Sequence, residues 1–514
     1  TLSLHDALPI LLLAERNKYE AALASLERAH ELLPEDRDVV WHYGQVMASL
    51  DRSKEAEQIY MSYLNAHPED REIAEQILVW QGRIVPKMTS KSGSKAVFFL
   101  RSYNDIDHIV PVIYKWLSTD KDINIDIVIT THTAYLDDYR IRFLKQFRNL
   151  NLKFIMDYLQ DESLYDKACQ KISRTLPHFI NVPEFWDDFI NNDRFVNRML
   201  DSVFSGFDNR LIVFDWLRSP FVLTVRKYAE RHNINIVSLP HGDRAVCNKM
   251  VNMDSINYEL DCNAGKKYHD FVAFPNELKH RSQGPAYNCE HVVLGSSRFN
   301  SEWLNVISGL VPKYNPEPSK GKLKILLFLK NRFYPLFWDE VIRTIKLICQ
   351  FPGVYLAVKH HTRIGSLHKL LDKYPELGQS NNENLQFIVG EVESVSLLKW
   401  ADVVVDVGAS IVNEAVKRDI PVLSMEYLHP NRGTIPFYIK KTAVNCRDEL
   451  YDWIEYFLRN GCGDFYDSEE RKRFVSEMIG DLNRDVLTRY VEFLQDCSRP
   501  QDNLNKKKVT VCLD

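Results

Sequence analysis

From Lys95 onward the chain alternates short, continuously apolar runs with segments of helical spacing. "KAVFFL" (Lys95–Leu100) precedes "DIDHIVPVIYKWL", and "INIDIVIT" precedes "YRIRFLKQF". "LKFIMD" and "LIVFDW" (Leu211–Trp216) follow, then the helical "PFVLTVRKYAERH", then "INIVSLPHG", "FVAF" and "HVVLG". A strand with one wet face alternates apolar and polar residues, and these runs do not. They suit a parallel sheet covered by helices on both faces. A linker rich in Pro and Lys, "VPKYNPEPSKGK" (Val311–Lys322), breaks the rhythm. It restarts as "LKILLFL", helical "FWDEVIRTIKLICQF", "VYLAVK", "LQFIV", helical "SVSLLKWA", "DVVVDVG", helical "SIVNEAVKR" and "IPVLSM", with a late helix over "RDELYDWIEYFLRN". The expectation is two tandem doubly wound α/β domains, 96–310 and 323–500, joined by linker 311–322 and followed by a polar tail, 501–514. Two such domains leave a cleft between the carboxyl ends of their sheets, where ligands bind.

The front of the chain obeys another period. Tyr19–Val39 aligns with Ser53–Ile73, pairing Ala22 with Ala56, Leu26 with Tyr60 and Pro34 with Pro68, each 34 positions apart. That period, with small residues at helix crossings and Pro at the helix end, resembles the tetratricopeptide repeat. Tyr43-Gly44 falls where the repeat closes its first helix against its neighbour. The resemblance covers about residues 11–85 and implies an all-α stack that binds a protein partner or a second copy of the chain. About three repeats make a stable stack, so further repeats are expected upstream. Residues 1–10, "TLSLHDALPI", fit neither pattern and are set aside as a non-native scar, while 86–95 read as a Ser- and Lys-rich linker.

Composition narrows the function classes. With 65 Lys and Arg against 70 Asp and Glu, the net charge of −5 gives no nucleic-acid signature. The nine cysteines are scattered, without a CxxC pair or metal-ligand spacing, which suits reduced thiols in the cytoplasm. No apolar run reaches the ~18 residues of a membrane span, and "ALPILLLAE" lacks the basic flank of a secretory signal. The expected location is cytoplasmic, with peripheral contact at the inner face of the membrane.

Function is therefore sought at strand ends. Four polar clusters follow predicted strands: His241-Gly242, Lys330-Asn331-Arg332, "KHHTR" (Lys359 to Arg363) and "GASIVNE" (Gly408 to Glu414). Each alone is also compatible with a turn, a solvated basic loop or a helix cap. Together they suit an anion. Ser410 would cap a helix whose N–H groups face the cleft, with Gly408 leaving room for a phosphate. A helix terminus supplies only about 0.3–2 kcal/mol, so Lys330, Arg332, Lys359 and Arg363 would carry the remaining charge. Glu414, one turn after Ser410, would accept hydrogen bonds from ribose hydroxyls. The two Asp-x-Asp pairs, Asp36-Arg-Asp38 and Asp105-Ile-Asp107, read as surface charge or caps, so no metal is expected.

These motifs resemble those of GT-B glycosyltransferases, which carry two Rossmann-like domains. More narrowly, they are similar to the CDP-glycerol glycerophosphotransferase and capsular-polysaccharide transferase group. "LPHGDRA" matches that group's His-Gly motif, and Gly295-Ser-Ser-Arg298 its Gly-x-x-Arg step. "KHHTR" keeps Lys359 and His361 but has Thr362 in place of Pro, and "ADVVVDVGAS" keeps Asp402, Asp406 and Ser410 with Ala409 where the first Ser usually stands. The resemblance spans about residues 95–460. It implies a transferase moving a sugar or polyol-phosphate unit from a CDP- or UDP-linked donor, without another cofactor, to a surface glycan. His241 would be the general base, with a near-neutral pKa suited to that work. His361 would act on the donor phosphate, and Gly242, Asp243 and Arg298 would support the acceptor side. The bacterial O-GlcNAc transferases join such repeats to this fold, which leaves a protein acceptor open. A UDP-sugar 2-epimerase shares the fold, and a repeat scaffold with a degenerate transferase body is the non-catalytic alternative.

Overall fold

The computed structural model describes most of residues 19–77, then 91–131, 133–158, 193–242, 247–248, 266–311, 321–329, 336–360, 371–375, 383–388, 392, 394–480 and 485–499. The chain divides into two compact units, one built on the residues up to Ser92 and the other on most of the chain from Gly93.

In the first unit, helices Tyr19–Leu32 and Ser53–Ala66 begin and end 34 positions apart, flanking Arg37–Ser49. The paired Ala22 and Ala56 are fully buried, as small residues at helix crossings must be. Asp36 caps the middle helix, its carboxylate accepting from the N–H groups of Asp38 and Val39. Asp70 does the same one period later, accepting from Ile73 N–H at 3.2 Å. At Gly44 the helices touch so closely that a Cβ would lie 2.1 Å from the Tyr60 ring. That ring is fully buried and its hydroxyl donates to Trp41 O at 2.8 Å, so it has little room to withdraw.

The strands that build the second unit start with β1 (Lys91–Leu100, whose first two residues belong to the first unit), β2 (Asn124–Ile129), β3 (Leu150–Phe154), β4 (Phe207–Phe214), β5 (Asn235–Ser238), β6 (Cys247–Asn248), β7 (Phe271–Phe274) and β8 (Glu290–Val293). All but β6 form a seven-stranded sheet in the order β3-β2-β1-β4-β5-β7-β8, parallel at every described pairing. The chain continues through β9 (Leu323–Phe328), β10 (Val354–Lys359), β11 (Leu385–Ile388), β12 (Val403–Asp406), β13 (Val422–Met425), β14 (Asn431–Arg432) and β15 (Ala443–Val444). Its six-stranded parallel sheet runs β11-β10-β9-β12-β13-β15. All residues of β5, β10 and β12 are buried, as unalternating strands covered on both faces require. This is the two-sheet α/β architecture expected from the sequence. The order reverses between β1 and β4 and again between β9 and β12, and each reversal opens a crevice at the strands' carboxyl ends.

Three features tie the sheets together. β6 pairs antiparallel with β14. Gly295 (φ +104°), just past β8, meets Gly480 (φ +81°) so closely that a Cβ on Gly480 would lie 2.9 Å from the Gly295 Cα. Beyond that contact the last helix, Val486–Cys497, packs on the first sheet, where Asn235 Nδ2 donates to Cys497 O at 2.7 Å and Phe493 lies edge-on to Phe271. The expected second domain, 323–500, took in this helix. In the structure its contacts with Asn235 and Phe271 place it against the first sheet.

The tightness at Gly44 gives a test. Alanine gains about 1 kcal/mol of helix propensity over glycine, but forcing a Cβ into a closed contact costs about 1–3 kcal/mol. Gly44→Ala should therefore speed hydrogen exchange across Ser53–Ala66, read by mass spectrometry on the full chain. Unchanged or slower exchange would mean that Tyr60 can swing aside.

Candidate functional site

His241 follows β5 by three residues, after the buried Leu239 and Pro240. Its Nδ1 lies 2.6 Å from Asp105 Oδ1 and 2.9 Å from Asp215 Oδ2. Both carboxylates are buried, whereas the imidazole is about a quarter exposed at 27%. With two carboxylates facing it, Nδ1 carries the proton and donates. Nε2 lies 3.1 Å from Asn104 Nδ2, which donates to it when the ring is neutral. Arg101 completes the set, donating to Asp215 Oδ2 from Nε at 2.9 Å and Nη2 at 2.6 Å, while its backbone N–H donates to Asp105 Oδ2 at 2.8 Å.

Each group comes from a strand end beside the reversal between β1 and β4. Arg101 follows β1, Asp215 follows β4, and Asn104 and Asp105 lie in the first turn of helix Tyr103–Thr119. Ser102 caps that helix, which frees Asp105 for the interior. The reading of Asp105-Ile-Asp107 as surface charge or caps is therefore corrected. Asp105 is fully buried against His241, and Asp107 pairs with Arg140 and, at 3.0 Å, with Arg298.

The electrostatics follow from burial and pairing. Burial opposes a charged imidazole, but the charges and hydrogen bonds of Asp105 and Asp215 outweigh it and lift the His241 pKa to about 9. The near-neutral value expected from the sequence is thus corrected. For Asp215, burial alone would raise the pKa. The His241 hydrogen bond and the Arg101 charge reverse this and hold the carboxyl well below its usual range. One ligand atom from each of Asp105, Asp215 and His241 lies within 4.8 Å of the others, a spacing that could hold a metal ion. An arriving cation would have to displace the Nδ1 proton and compete with Arg101 for Asp215.

At the second reversal, the turn after β12 departs from the sequence reading. Gly408 (φ +108°) adopts a conformation that favours glycine, but its N–H and that of Ala409 both donate to Asp406 Oδ1 at 2.6 Å. Neither is open to a phosphate in this arrangement. Ser410 is not the helix cap. Ile411 holds that position without a side-chain bond, and Ser410 Oγ accepts from Arg298 Nη1 at 3.2 Å. Glu414 is buried, with Oε1 held by Arg418 at 2.5–2.6 Å and Oε2 without a partner. Burial raises its pKa against the pull of Arg418.

Lys359, the last residue of β10, is buried, and the neighbouring His360 Nδ1 lies 2.9 Å from Ile388 O. A Cβ on Gly242 would meet nothing within 4 Å, so the backbone beside His241 is open to approach. Asp243, Lys330, Arg332, His361 and Arg363 lie outside the described residues. Sequence reasoning missed Arg101, Asn104 and Asp215, although Arg101 and Asp215 close apolar runs just as His241 does.

The clamp has a measurable signature. Titrated by NMR in the full chain, the His241 ring should lose its proton at about 9, and Asp215→Asn should lower that value by removing one facing charge. Because the folded value exceeds the unfolded 6.5, the stabilisation from this imidazolium is complete below 6.5 and is lost as pH rises through about 9. Asp215 has the opposite sign, since its contribution is present above the ordinary 3.8 and is lost as pH falls through its depressed value. A ring that titrates near 6.5 would refute the clamp.

Comparisons agree with this architecture. Residues 13–75 match a tetratricopeptide-repeat family model. No curated protein matches the chain. Among solved structures, a UDP-N-acetylglucosamine 2-epimerase superposes with TM-score 0.50 at 12% identity, covering 81% of this chain and 97% of that one. A UDP-N-acetylglucosamine 2-epimerase from Rickettsia bellii gives 0.49 at 11%, covering 81% and 99%. A glycosyltransferase from Rickettsia africae gives 0.44 at 12%, covering 79% and 98%. At such identities the likeness is one of fold: the chain joins tetratricopeptide repeats to a GT-B-like body of two parallel sheets.

Proposed function

We propose that the chain is a transferase moving a sugar or polyol-phosphate unit from a CDP- or UDP-linked donor to a glycan acceptor. The observation that carries this reading is the clamped His241 at the first sheet's reversal, with the Gly408–Glu414 turn at the second sheet's reversal. In this mechanism the neutral Nε2 takes the proton of the acceptor hydroxyl. The acceptor oxygen bonds to the transferred group, and the bond to the nucleotide phosphate breaks, its electron pair leaving with that phosphate. Asp105 and Asp215 stabilise the imidazolium so formed, as the buried carboxylate does in a serine-protease triad. Fixed positive side chains, rather than a metal, meet the charge on the leaving group. We assign Lys359, Lys330, Arg332, Arg363 and His361 to that task, with the unpartnered Oε2 of Glu414 taking a ribose hydroxyl.

The fold also hosts UDP-sugar 2-epimerases, among them the neighbour at TM-score 0.50. An epimerase would convert a UDP-sugar with no acceptor present, and a transferase would leave it unchanged until an acceptor is added. We assign the repeats to a protein partner or a second copy of the chain, so deleting residues 11–85 should weaken that association and spare turnover on a small acceptor.

Calorimetric titration with CDP, UDP and GDP should find a nucleoside diphosphate that binds, more weakly as salt rises. Failure of all three at millimolar concentration would end the nucleotide reading. His241→Ala should lower turnover by about 10²–10⁴-fold with donor affinity unchanged. Since only the neutral ring accepts a proton, the rate should climb as pH rises toward about 9. A rate that falls over that range would make His241 an acid instead, and loss of activity on chelation would bring a metal into the clamp.

A further inference from the structure

We infer that Arg298 binds the donor's diphosphate, reaching it from the first domain, and does not serve the acceptor side. This deepens the nucleotide reading above and rests on it. Arg298 is the described arginine that bridges the two sheets' polar turns. Its Nη1 donates to Ser410 Oγ at 3.2 Å and lies 3.0 Å from Asp107 Oδ2. Its Nε and Nη2 have no protein acceptor among the described residues, and the side chain is 20% exposed. A guanidinium with one nitrogen anchored and an edge left over matches two oxygens of a phosphate.

The turn after β12 gives that edge its purpose. Asp406 already takes the N–H groups of Gly408 and Ala409, so an anion there must be met by side chains. Ser410 Oγ, having accepted from Arg298, still has its own O–H to donate. Arg298 from one domain and Ser410 from the other thus offer donors side by side. Glu414, four residues on, keeps a buried, unpartnered Oε2, an acceptor one helical turn from the phosphate donors. That is the order of groups along a nucleoside diphosphate: anion, then hydroxyls.

The arginine is also held in place beforehand. Ser296 N–H donates to Ile479 O at 2.8 Å, Asn300 Nδ2 to Asp485 Oδ1 at 2.8 Å, and Lys417 Nζ to Phe299 O at 2.7 Å. The Phe299 ring lies under the guanidinium, 5.3 Å away. A ligand would therefore not have to order this side chain, which preserves affinity. Asp107 does not cancel the arginine's charge alone, because it also serves Arg140.

The test compares UDP and CDP with uridine and cytidine by calorimetry on the full chain, using wild type, Arg298→Ala, Arg298→Lys and Ser410→Ala. Arg298→Ala should weaken diphosphate binding by about 10- to 100-fold, the range for a hydrogen bond to a charged group, and leave nucleoside binding unchanged. Arg298→Lys should recover part of the loss, and Ser410→Ala should lose less than Arg298→Ala. Equal diphosphate affinity in Arg298→Ala and wild type would overturn the inference and leave the nucleotide reading standing. So would an equal loss for diphosphate and nucleoside, which marks a structural role. A wild type that binds no nucleotide fails the nucleotide reading itself. Should Arg298→Ala not fold, Arg298→Lys and Ser410→Ala carry the same comparison.

Discussion

Burial of two carboxylates beside one histidine is the constraint on which the first sheet's cleft depends. A buried charge without a partner is destabilising by several kcal/mol, so Asp105, Asp215, Arg101 and His241 stand or fall together. Two negative and two positive groups leave the cluster near neutral when the ring is protonated. That balance explains why an exposed edge of imidazole is so basic, and why Nδ1 cannot turn away to face solvent. The only ring nitrogen left for chemistry is Nε2, and Asn104 fixes its direction.

The second sheet handles charge differently. Asp406 closes the turn after β12 on itself, so the backbone there is shaped but not open. Charge recognition falls to side chains that approach from both domains, and the stitched segment Gly295–Asn300 is where the two domains meet. A positive φ at both Gly295 and Gly480 allows the backbones to touch, and the final helix then returns to the first sheet. The same segment thus joins the domains and presents an arginine to the cleft.

Much of this was legible in the sequence because burial on both faces leaves a mark in every residue of a strand. "VYLAVK" and "DVVVDVG" carry that mark, and the strand-end rule then singled out His241 and the turn that leads to Ser410 and Glu414. The rule applied equally to Arg101 and Asp215, but a lone charge after an apolar run is common, and nothing local distinguishes one that turns inward. Asp105 was hidden by a plausible local role: an acidic residue near a helix start reads as a cap, and only the presence of Ser102 at the cap itself frees it.

By itself, the sequence determined the repeat period, the two parallel sheets and the places where polar groups interrupt apolar strands, because these depend on spacing along the chain. The tertiary structure decided which of those polar groups face one another. Asn104 and His241 meet across 137 positions of chain, Arg101, Asp105 and Asp215 lie beside them, and no periodicity links these residues. Their meeting depends on β1, β4 and β5 lying side by side in the sheet, and their protonation depends on that meeting.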